Sequence, residues 1–261
     1  MRLFARCVIF LFAAAIAARA AAPDRTPVRP EVRSATPGAL SGSRYKAVLI
    51  AGDGSTAAFD HATAAMRDRL LAREVASSDV QRLSAARAVV GQYGVRSATL
   101  GHVLSAIERM HPASGQGCLV FATSHGSFEE GLVLVPSENF LTPAALDNAL
   151  SVGCGHAPTV VIISGCFSGG FTAPPMARAN RIILTAARED RPSFGCGAGF
   201  QYTVYDRCLL QAIDHSATWR AAYAMLAGCV ATRETVLQFR PSEPQAYFGE
   251  AVEGMPVSGR P

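Results

Sequence analysis

The stretch Thr-Val-Val-Ile-Ile-Ser-Gly-Cys, residues 159–166, decides the fold, and a similar stretch, Cys-Leu-Val-Phe-Ala-Thr-Ser-His-Gly, occupies residues 118–126. Each is a short apolar, β-branched run that stops at small residues and one reactive side chain. Such runs are typical of buried strands in a parallel sheet. In open α/β sheets, ligands bind just beyond the carboxyl ends of the strands. We therefore expect His125 and Cys166 to lie at the same edge of one sheet.

Segments with strand and helix patterns alternate along the rest of the chain. Strand patterns cover residues 45–51, 80–83 and 182–186, with a hairpin arm at 132–135, and helical patterns cover residues 61–74, 99–110, 142–153, 206–215 and 219–238. Strands that alternate with helices imply right-handed crossovers and a mostly parallel sheet. We therefore predict an α/β fold in which a mostly parallel central sheet is flanked by helices.

His125 and Cys166 together have the chemistry of a cysteine nucleophile, which needs a base and backbone N–H groups that receive an oxyanion. Taken alone, a cysteine in an apolar stretch is usually a small buried hydrophobe, and a histidine after a strand is usually a loop residue. The pair is more specific, because both residues follow strands and both have a glycine beside them, which allows close backbone approach. The pattern therefore favours catalysis.

The strand-His-Gly and strand-Ser-Gly-Cys-x-Ser-Gly-Gly patterns resemble those of the C13 (legumain-like) cysteine peptidases of the caspase-like clan, and the bacterial members in particular. The resemblance covers residues 45–249. Besides the two strand stretches it rests on Ala-Gly-Asp-Gly at 51–54, Leu-Thr-Ala-Ala-Arg at 184–188, Ser-Phe-Gly-Cys at 193–196 and Pro-Gln-Ala-Tyr-Phe-Gly at 244–249. It implies a caspase-like three-layer fold and a cysteine endopeptidase that acts through a thioester acyl-enzyme. A non-catalytic caspase-like module that binds a peptide or a partner protein is the alternative.

The resemblance also implies roles for residues at the catalytic centre. Cys166 is the expected nucleophile, His125 the expected proton shuttle, and the N–H groups of Gly126 and Cys166 the expected oxyanion donors. We expect a helix to begin after Cys166 and to lower the pKa of the thiol through its dipole. An aspartate that orients the histidine is not required in this clan, and the sequence suggests none.

The substrate-binding residues that the resemblance implies are Asp60, His61, Phe167, Ser193 and Asp206. Legumain has an arginine where this chain has Asp60, and a glutamate where it has Phe167. These departures remove a cation and leave the carboxylates of Asp60 and Asp206, so a basic substrate residue is expected in place of asparagine. The alternative for Asp60 is a solvated cap of the following helix.

The first residues have the pattern of a secretory signal peptide. Arg2 and Arg6 precede an apolar run at residues 8–17, and alanines follow it. The run is shorter than the ~18 residues of a membrane span. We therefore predict a signal peptide at residues 1–22 and an exported, periplasmic or secreted protein, the alternative being a membrane anchor.

Three further segments complete the predicted organisation. Residues 23–43 are rich in Pro, Arg, Ser, Thr and Gly without periodicity, which predicts a disordered leader. Residues 44–250 are long enough for one α/β domain, the caspase-like peptidase domain. Residues 251–261 are predicted to be a tail.

Charge and motifs exclude several classes of partner. Removing Arg2, Arg6 and Arg19 from the 24 basic residues leaves 21 against 20 acidic residues, which gives no basis for a nucleic-acid partner. No G-x-G-x-x-G follows the first strand, and no zinc-ligand spacing occurs. We expect no cofactor, no metal and no stable membrane anchor. The expected partner is a peptide or protein substrate, and the oligomeric state stays open.

Six cysteines follow the predicted signal peptide, namely Cys118, Cys154, Cys166, Cys196, Cys208 and Cys229. If Cys166 is a free nucleophile, at least one more is unpaired or bonds outside the chain. Export permits disulfides, but their connectivity does not follow from sequence. Cys196 and Cys208 are one candidate pair.

Overall fold

The computed structural model describes residues 44–91 and 94–257. The predicted signal peptide (1–22) and leader (23–43) lie outside the described residues. Among the described residues, no helix combines the length and the apolar character needed to cross a membrane.

A seven-stranded sheet in the order β10-β9-β8-β4-β1-β2-β3 forms the centre of the domain, and a second sheet has the order β5-β6-β7. The central sheet is parallel except for its β9–β10 pair. The strands are β1 (Arg44–Ala51), β2 (Val80–Ser84), β3 (Arg96–Ser97), β4 (Gln116–Thr123), β5 (Gly126–Ser127), β6 (Gly131–Leu134), β7 (Asn139–Leu141), β8 (Thr159–Ser164), β9 (Arg181–Thr185) and β10 (Gln245–Phe248). All six residues of β8 are buried, as the continuous apolar run predicts for a strand covered on both faces.

Each α-helix in the described part of the chain begins after a threonine whose hydroxyl accepts a backbone N–H, which satisfies one donor that the first turn leaves free. The helices are α1 (Ala57–Ala72), α2 (Leu100–Glu108), α3 (Pro143–Gly153), α4 (Val204–His215) and α5 (Trp219–Val236), and their caps are Thr56, Thr99, Thr142, Thr203 and Thr218. The predicted helical ranges 99–110 and 142–153 begin at the caps Thr99 and Thr142. The predicted range 61–74 begins four residues after the first residue of α1.

The helices cover both faces of the central sheet, which gives three layers. Alternate residues of β4 belong to different cores, because successive strand side chains point to opposite faces. Leu119 and Phe121 pack with α1, α4 and α5 in one apolar cluster. Val120 and Ala122 pack with α2 and α3 in the other. The predicted class, a mostly parallel sheet flanked by helices, is confirmed.

Two disulfides connect packed elements. Cys118 at the start of β4 is bonded to Cys154 at the end of α3, and Cys208 of α4 is bonded to Cys229 of α5. The candidate pair Cys196–Cys208 is therefore wrong, because Cys208 lies buried between two helices and Cys196 lies in a loop. Cys166 and Cys196 are free.

Part of the predicted tail is packed in the domain. The side chains of Val252, Met255 and Val257 are buried in the cluster that contains α5. The backbone of Met255 accepts the N–H of Trp219, and the N–H of Val257 donates to Ala217. The domain therefore extends beyond residue 250, at least to Val257.

Candidate active site

Three adjacent parallel strands end in register. Ala51 of β1 pairs with Thr123 of β4, and Thr123 pairs with Ser164 of β8. A chain that continues two residues past each of these positions reaches Asp53, His125 and Cys166 respectively. The three strands therefore deliver a carboxylate, an imidazole and a thiol to one edge of the sheet.

Close backbone contact brings Gly126 against Cys166. A Cβ atom added at Gly126 would lie 1.9 Å from the carbonyl oxygen of Cys166 and 3.0 Å from its nitrogen. No residue with a side chain fits there, so glycine is required at position 126. The contact holds the backbone amides of Gly126 and Cys166, the two expected oxyanion donors, near each other.

The thiol of Cys166 lies in a small pocket of about 10 Å³ that also contains the imidazole of His125. Ser193 lies against the sulfur, since its N–H donates to Sγ over 3.3 Å and its carbonyl accepts from the thiol over 3.5 Å. The pocket is lined by Phe59, Ser124, His125, Ser164, Cys166, Ser193, Phe194, Cys196 and Thr203. We call it the Phe59 pocket. Of the predicted site residues, it brings together the two reactive side chains and Ser193.

Asp53 and Phe59 hold the His125 ring from two sides. Nε2 of His125 lies 3.8 Å from Oδ2 of Asp53, and the ring meets Phe59 edge-on with centroids 5.4 Å apart. Asp53 is only 8% exposed, and its Oδ1 accepts the N–H of Ser55 at 2.6 Å, which fixes the carboxylate.

The sequence suggested no aspartate that orients the histidine, and the structure places Asp53 beside it. The signal was present in Ala-Gly-Asp-Gly at 51–54, since Asp53 follows β1 at the same offset at which His125 follows β4. Recognising it required knowledge that β1 and β4 are neighbours in register.

The turn after Cys166 also differs from expectation. In place of an α-helix there is a short 3-10 helix at Ser168–Thr172, preceded by Phe167 with φ of 57°. The predicted helix dipole at the thiol is therefore absent. The hydroxyl of Ser168 donates to the carbonyl of Gly165 at 2.8 Å and accepts the N–H groups of Ala186 and Ala187. Ser168 thus ties the turn to the chain that follows β9.

Asp206 lies beneath the strand ends, not in the pocket. Its side chain is fully buried, and its Oδ2 accepts the hydroxyl of Thr123 at 2.8 Å. Burial raises the pKa of Asp206 to about 6, against hydrogen bonds with Ser164, Thr123 and Thr203 that lower it. The predicted contact with a substrate side chain is therefore corrected to a structural contact with the strands β4 and β8.

Asp60 and His61 also lie outside the Phe59 pocket. The carboxylate of Asp60 accepts the hydroxyl of Ser84 at 2.9 Å and forms an ion pair with Arg82 at 3.5 Å. Burial raises the pKa of Asp60, while Ser84 and Arg82 lower it. Asp60 is 7% exposed, so it is not a solvated cap; Thr56 caps the helix, and the carboxylate of Asp60 is directed to Ser84 and Arg82. His61 is exposed, with its Nδ1 at 3.1 Å from the carbonyl oxygen of Gln201.

Phe167, the residue after Cys166, lines a second and larger cavity of about 300 Å³. Its ring meets that of Phe128 edge-on, with centroids 5.7 Å apart. The predicted substrate-binding residues are thus separated: Ser193 lies in the Phe59 pocket, Phe167 lines the larger cavity, Asp60 and Asp206 are buried, and His61 is exposed. Among the described residues, no cluster of His, Cys, Asp and Glu side chains is suited to hold a metal ion.

The comparison with solved structures agrees with this architecture, whereas a search of the curated proteins finds no match. Among solved structures, caspase-1 from Spodoptera frugiperda aligns with a TM-score of 0.56 at 11% identity, over 80% of this chain and 88% of that chain. At this identity the likeness shows the fold, and the predicted caspase-like fold is confirmed. The sequence model of the peptidase C13 family matches residues 111–247, more than half of the chain, which therefore belongs to this family of cysteine peptidases.

Proposed function

We propose that this protein is an exported cysteine endopeptidase, periplasmic or secreted, that hydrolyses peptide bonds through Cys166, His125 and a thioester acyl-enzyme. The observation that carries the proposal is the common offset of Asp53, His125 and Cys166 from three paired strand ends. Membership of the peptidase C13 family supplies the reaction class and implies a protein substrate.

In the first half of the reaction, the thiolate of Cys166 attacks the carbonyl carbon of the scissile peptide bond. The carbonyl oxygen becomes an oxyanion, which the N–H groups of Gly126 and Cys166 receive. His125 holds the proton taken from the thiol and gives it to the leaving amine as the carbon–nitrogen bond breaks. The products of this half are the free amine and a thioester on Cys166.

In the second half, water attacks the thioester and His125 accepts one of its protons. The carbon–sulfur bond breaks, the carboxylic product leaves, and the proton returns to the sulfur. An amine in place of water would form a new peptide bond, so transpeptidation is a related outcome of the same intermediate.

Asp53 is a positioning residue in this mechanism. Its carboxylate lies near Nε2 of His125 and is itself fixed by the N–H of Ser55. A carboxylate there stabilises the protonated imidazole that forms while the thiolate attacks. It also restricts rotation of a ring that is otherwise 42% exposed.

Two observations support export. The two disulfides fit an oxidising compartment, where such bonds persist, and the first residues have the signal-peptide pattern. Expression of the full chain in a bacterial host, followed by fractionation and N-terminal sequencing, tests both. Cleavage near residue 22 with the protein outside the cytoplasm is expected, and an uncleaved cytoplasmic protein would contradict this part.

Activity-based labelling tests the chemistry. Purified protein is treated with acyloxymethyl ketones that carry Arg, Lys, Asn or Asp, and the labelled residue is mapped by mass spectrometry. We expect labelling of Cys166, none in Cys166→Ala, and a rate lowered about 100-fold or more in His125→Ala, the usual size of a lost general acid–base. Cys196→Ala, which changes the other free thiol, and Ser168→Ala are the controls, and both should keep measurable labelling and hydrolysis.

Full hydrolysis by a folded Cys166→Ala variant would place the chemistry elsewhere. A folded wild-type protein that binds peptides and turns none over would favour the non-catalytic module instead.

A further inference from the structure

The larger cavity beside the nucleophile is built from both catalytic loops. Phe167 directly follows Cys166, and Ser127 is two residues beyond His125. The cavity holds about 300 Å³ and is lined by Ser127, Phe128, Glu129, Glu130, Gly131, Pro143, Phe167, Gly170, Phe171, Glu189 and Asp190. We call it the Phe167 pocket.

The Phe167 pocket and the Phe59 pocket lie on opposite faces of the sheet. Phe171, in the wall of the Phe167 pocket, belongs to the apolar cluster with α2 and α3. Phe59 lies on α1, and Phe194 packs against the cluster with α1 and α4. The thiol of Cys166 lies in the Phe59 pocket, so a peptide that extends from the thiol across the strand ends meets the Phe167 pocket on the other face.

Aromatic rings form the apolar part of the Phe167 pocket. Phe128 is 52% exposed although its ring contacts Phe167, so a large apolar surface faces solvent beside the nucleophile. An aliphatic chain laid across these rings would remove that surface from water, which is favourable. Aromatic faces also attract cations.

The carboxylates of the Phe167 pocket are largely uncompensated. Asp190 forms an ion pair with Arg188 at 2.5 Å. In the described part of the chain, Glu129, Glu130 and Glu189 have no basic side chain within ion-pair distance. The hydroxyl of Ser127 donates to Glu130 and leaves its charge in place. The pocket therefore attracts cations and repels acidic groups.

We propose that the Phe167 pocket binds a lysine or arginine side chain of the substrate, next to the scissile bond. Only these two side chains join a long aliphatic stem, which covers the phenylalanines, to a cationic end that reaches the carboxylates. The proposal rests on the proposed peptidase function. The sequence attributed a preference for a basic residue to Asp60 and Asp206. The proposal attributes the same preference to Glu129, Glu130 and Glu189.

The test compares two sets of variants on a peptide library with Lys, Arg, Gln, Leu, Asn or Glu at each position around one scissile bond. The pocket variant combines Glu129→Gln, Glu130→Gln and Glu189→Gln. The control variant combines Glu74→Gln, Glu250→Gln and Glu253→Gln, which are exposed elsewhere and change the net charge equally.

At one position flanking the scissile bond, the wild type should cleave peptides with Lys or Arg about 10-fold faster than peptides with Gln, a factor that corresponds to about 1.4 kcal/mol. Peptides with Glu at that position should be cleaved slowest. The pocket variant should lose most of this ratio through a higher KM for the Lys and Arg peptides. The control variant should keep the ratio. Equal loss in both variants would mean that net charge alone attracts the substrate, and would overturn the proposal.

Failure of this proposal and failure of the peptidase function give different results. Cleavage of neutral peptides without a basic preference at any position refutes the Phe167 pocket assignment and leaves the peptidase function intact. If no peptide is cleaved, fluorescence anisotropy with folded Cys166→Ala still decides the pocket assignment. Tighter binding of Lys than of Gln peptides, lost in the pocket variant, supports it, and equal binding refutes it.

Discussion

Asp206 makes the stability of this protein depend on pH in a direction opposite to that of most carboxylates. Its pKa is raised from 3.8 to about 6 because it is buried beneath Thr123 and Ser164. A carboxyl whose pKa is higher in the folded state binds more protons when folded, so its contribution is present at low pH and lost as pH rises through the folded pKa. We expect Asp206→Asn, which stays neutral at every pH, to remove this loss.

The magnitude follows from the shift. One pKa unit corresponds to about 1.4 kcal/mol, so a shift of about two units corresponds to about 3 kcal/mol at neutral pH. A small part of this stability is already lost at pH 4, just above the unfolded pKa of 3.8. Between pH 4 and pH 7 the free energy of unfolding of Asp206→Asn, relative to the parent, should therefore rise by about 2–3 kcal/mol.

Urea unfolding followed by circular dichroism at pH 4, 5, 6 and 7 measures this difference. Both proteins carry Cys166→Ala to prevent self-digestion, and the other titrating groups cancel between them. Asp68→Asn, whose side chain is 71% exposed, is the matched control for the same substitution at the surface. If the difference in unfolding free energy between Asp206→Asn and the parent changes with pH no more than that of the control, the reasoning is refuted. A difference that falls as pH rises would show that the pKa of Asp206 is lowered by folding.

Three further predictions concern the catalytic edge and the cysteines. Asp53→Asn should lower kcat by about 10-fold or more with little change in KM, because the imidazolium loses its carboxylate; an unchanged kcat and pH profile would exclude its positioning role. Among the six cysteines that the structure describes, native alkylation should modify two, Cys166 before Cys196, because burial raises the pKa of the Cys196 thiol; mass spectrometry that finds modification of Cys118, Cys154, Cys208 or Cys229 would contradict the disulfides. Joint replacement of Cys208 and Cys229 by alanine should lower the free energy of unfolding by about 3 kcal/mol; urea unfolding with an unchanged midpoint would contradict this.

The sequence predicted the elements that have strong local signals. The apolar runs predicted the buried strands β4 and β8, and the helical patterns that begin at Thr99 and Thr142 predicted α2 and α3. These elements could be predicted because each pattern depends on a few consecutive residues. The weaker strands β3 and β10 were not predicted. β3 has only two residues, and β10 pairs antiparallel at the sheet edge.

Features that depend on contacts between distant segments were not accessible in the same way. Asp60 and Asp206 both lie in first helical turns, where an exposed and a buried carboxylate have the same local sequence. Their burial depends on Ser84, Arg82 and Thr123, which belong to other elements. The pairing of Cys208 with Cys229 likewise depends on how α4 packs against α5, and not on the spacing of the cysteines.

The strand ends that precede His125 and Cys166 are held from below by the carboxyl of Asp206, whose pKa is raised by burial. Its carboxylate interacts with the hydroxyls of Thr123 and Ser164, the last residues of β4 and β8, which are themselves paired in the sheet. Two residues later these strands carry His125 and Cys166. A one-residue shift between the strands would turn one hydroxyl to the opposite face, because successive strand side chains alternate. The buried carboxyl therefore favours the one register that presents the imidazole and the thiol together. Asp206 thus specifies the alignment of β4 and β8, although its burial lowers the stability of the protein at neutral pH.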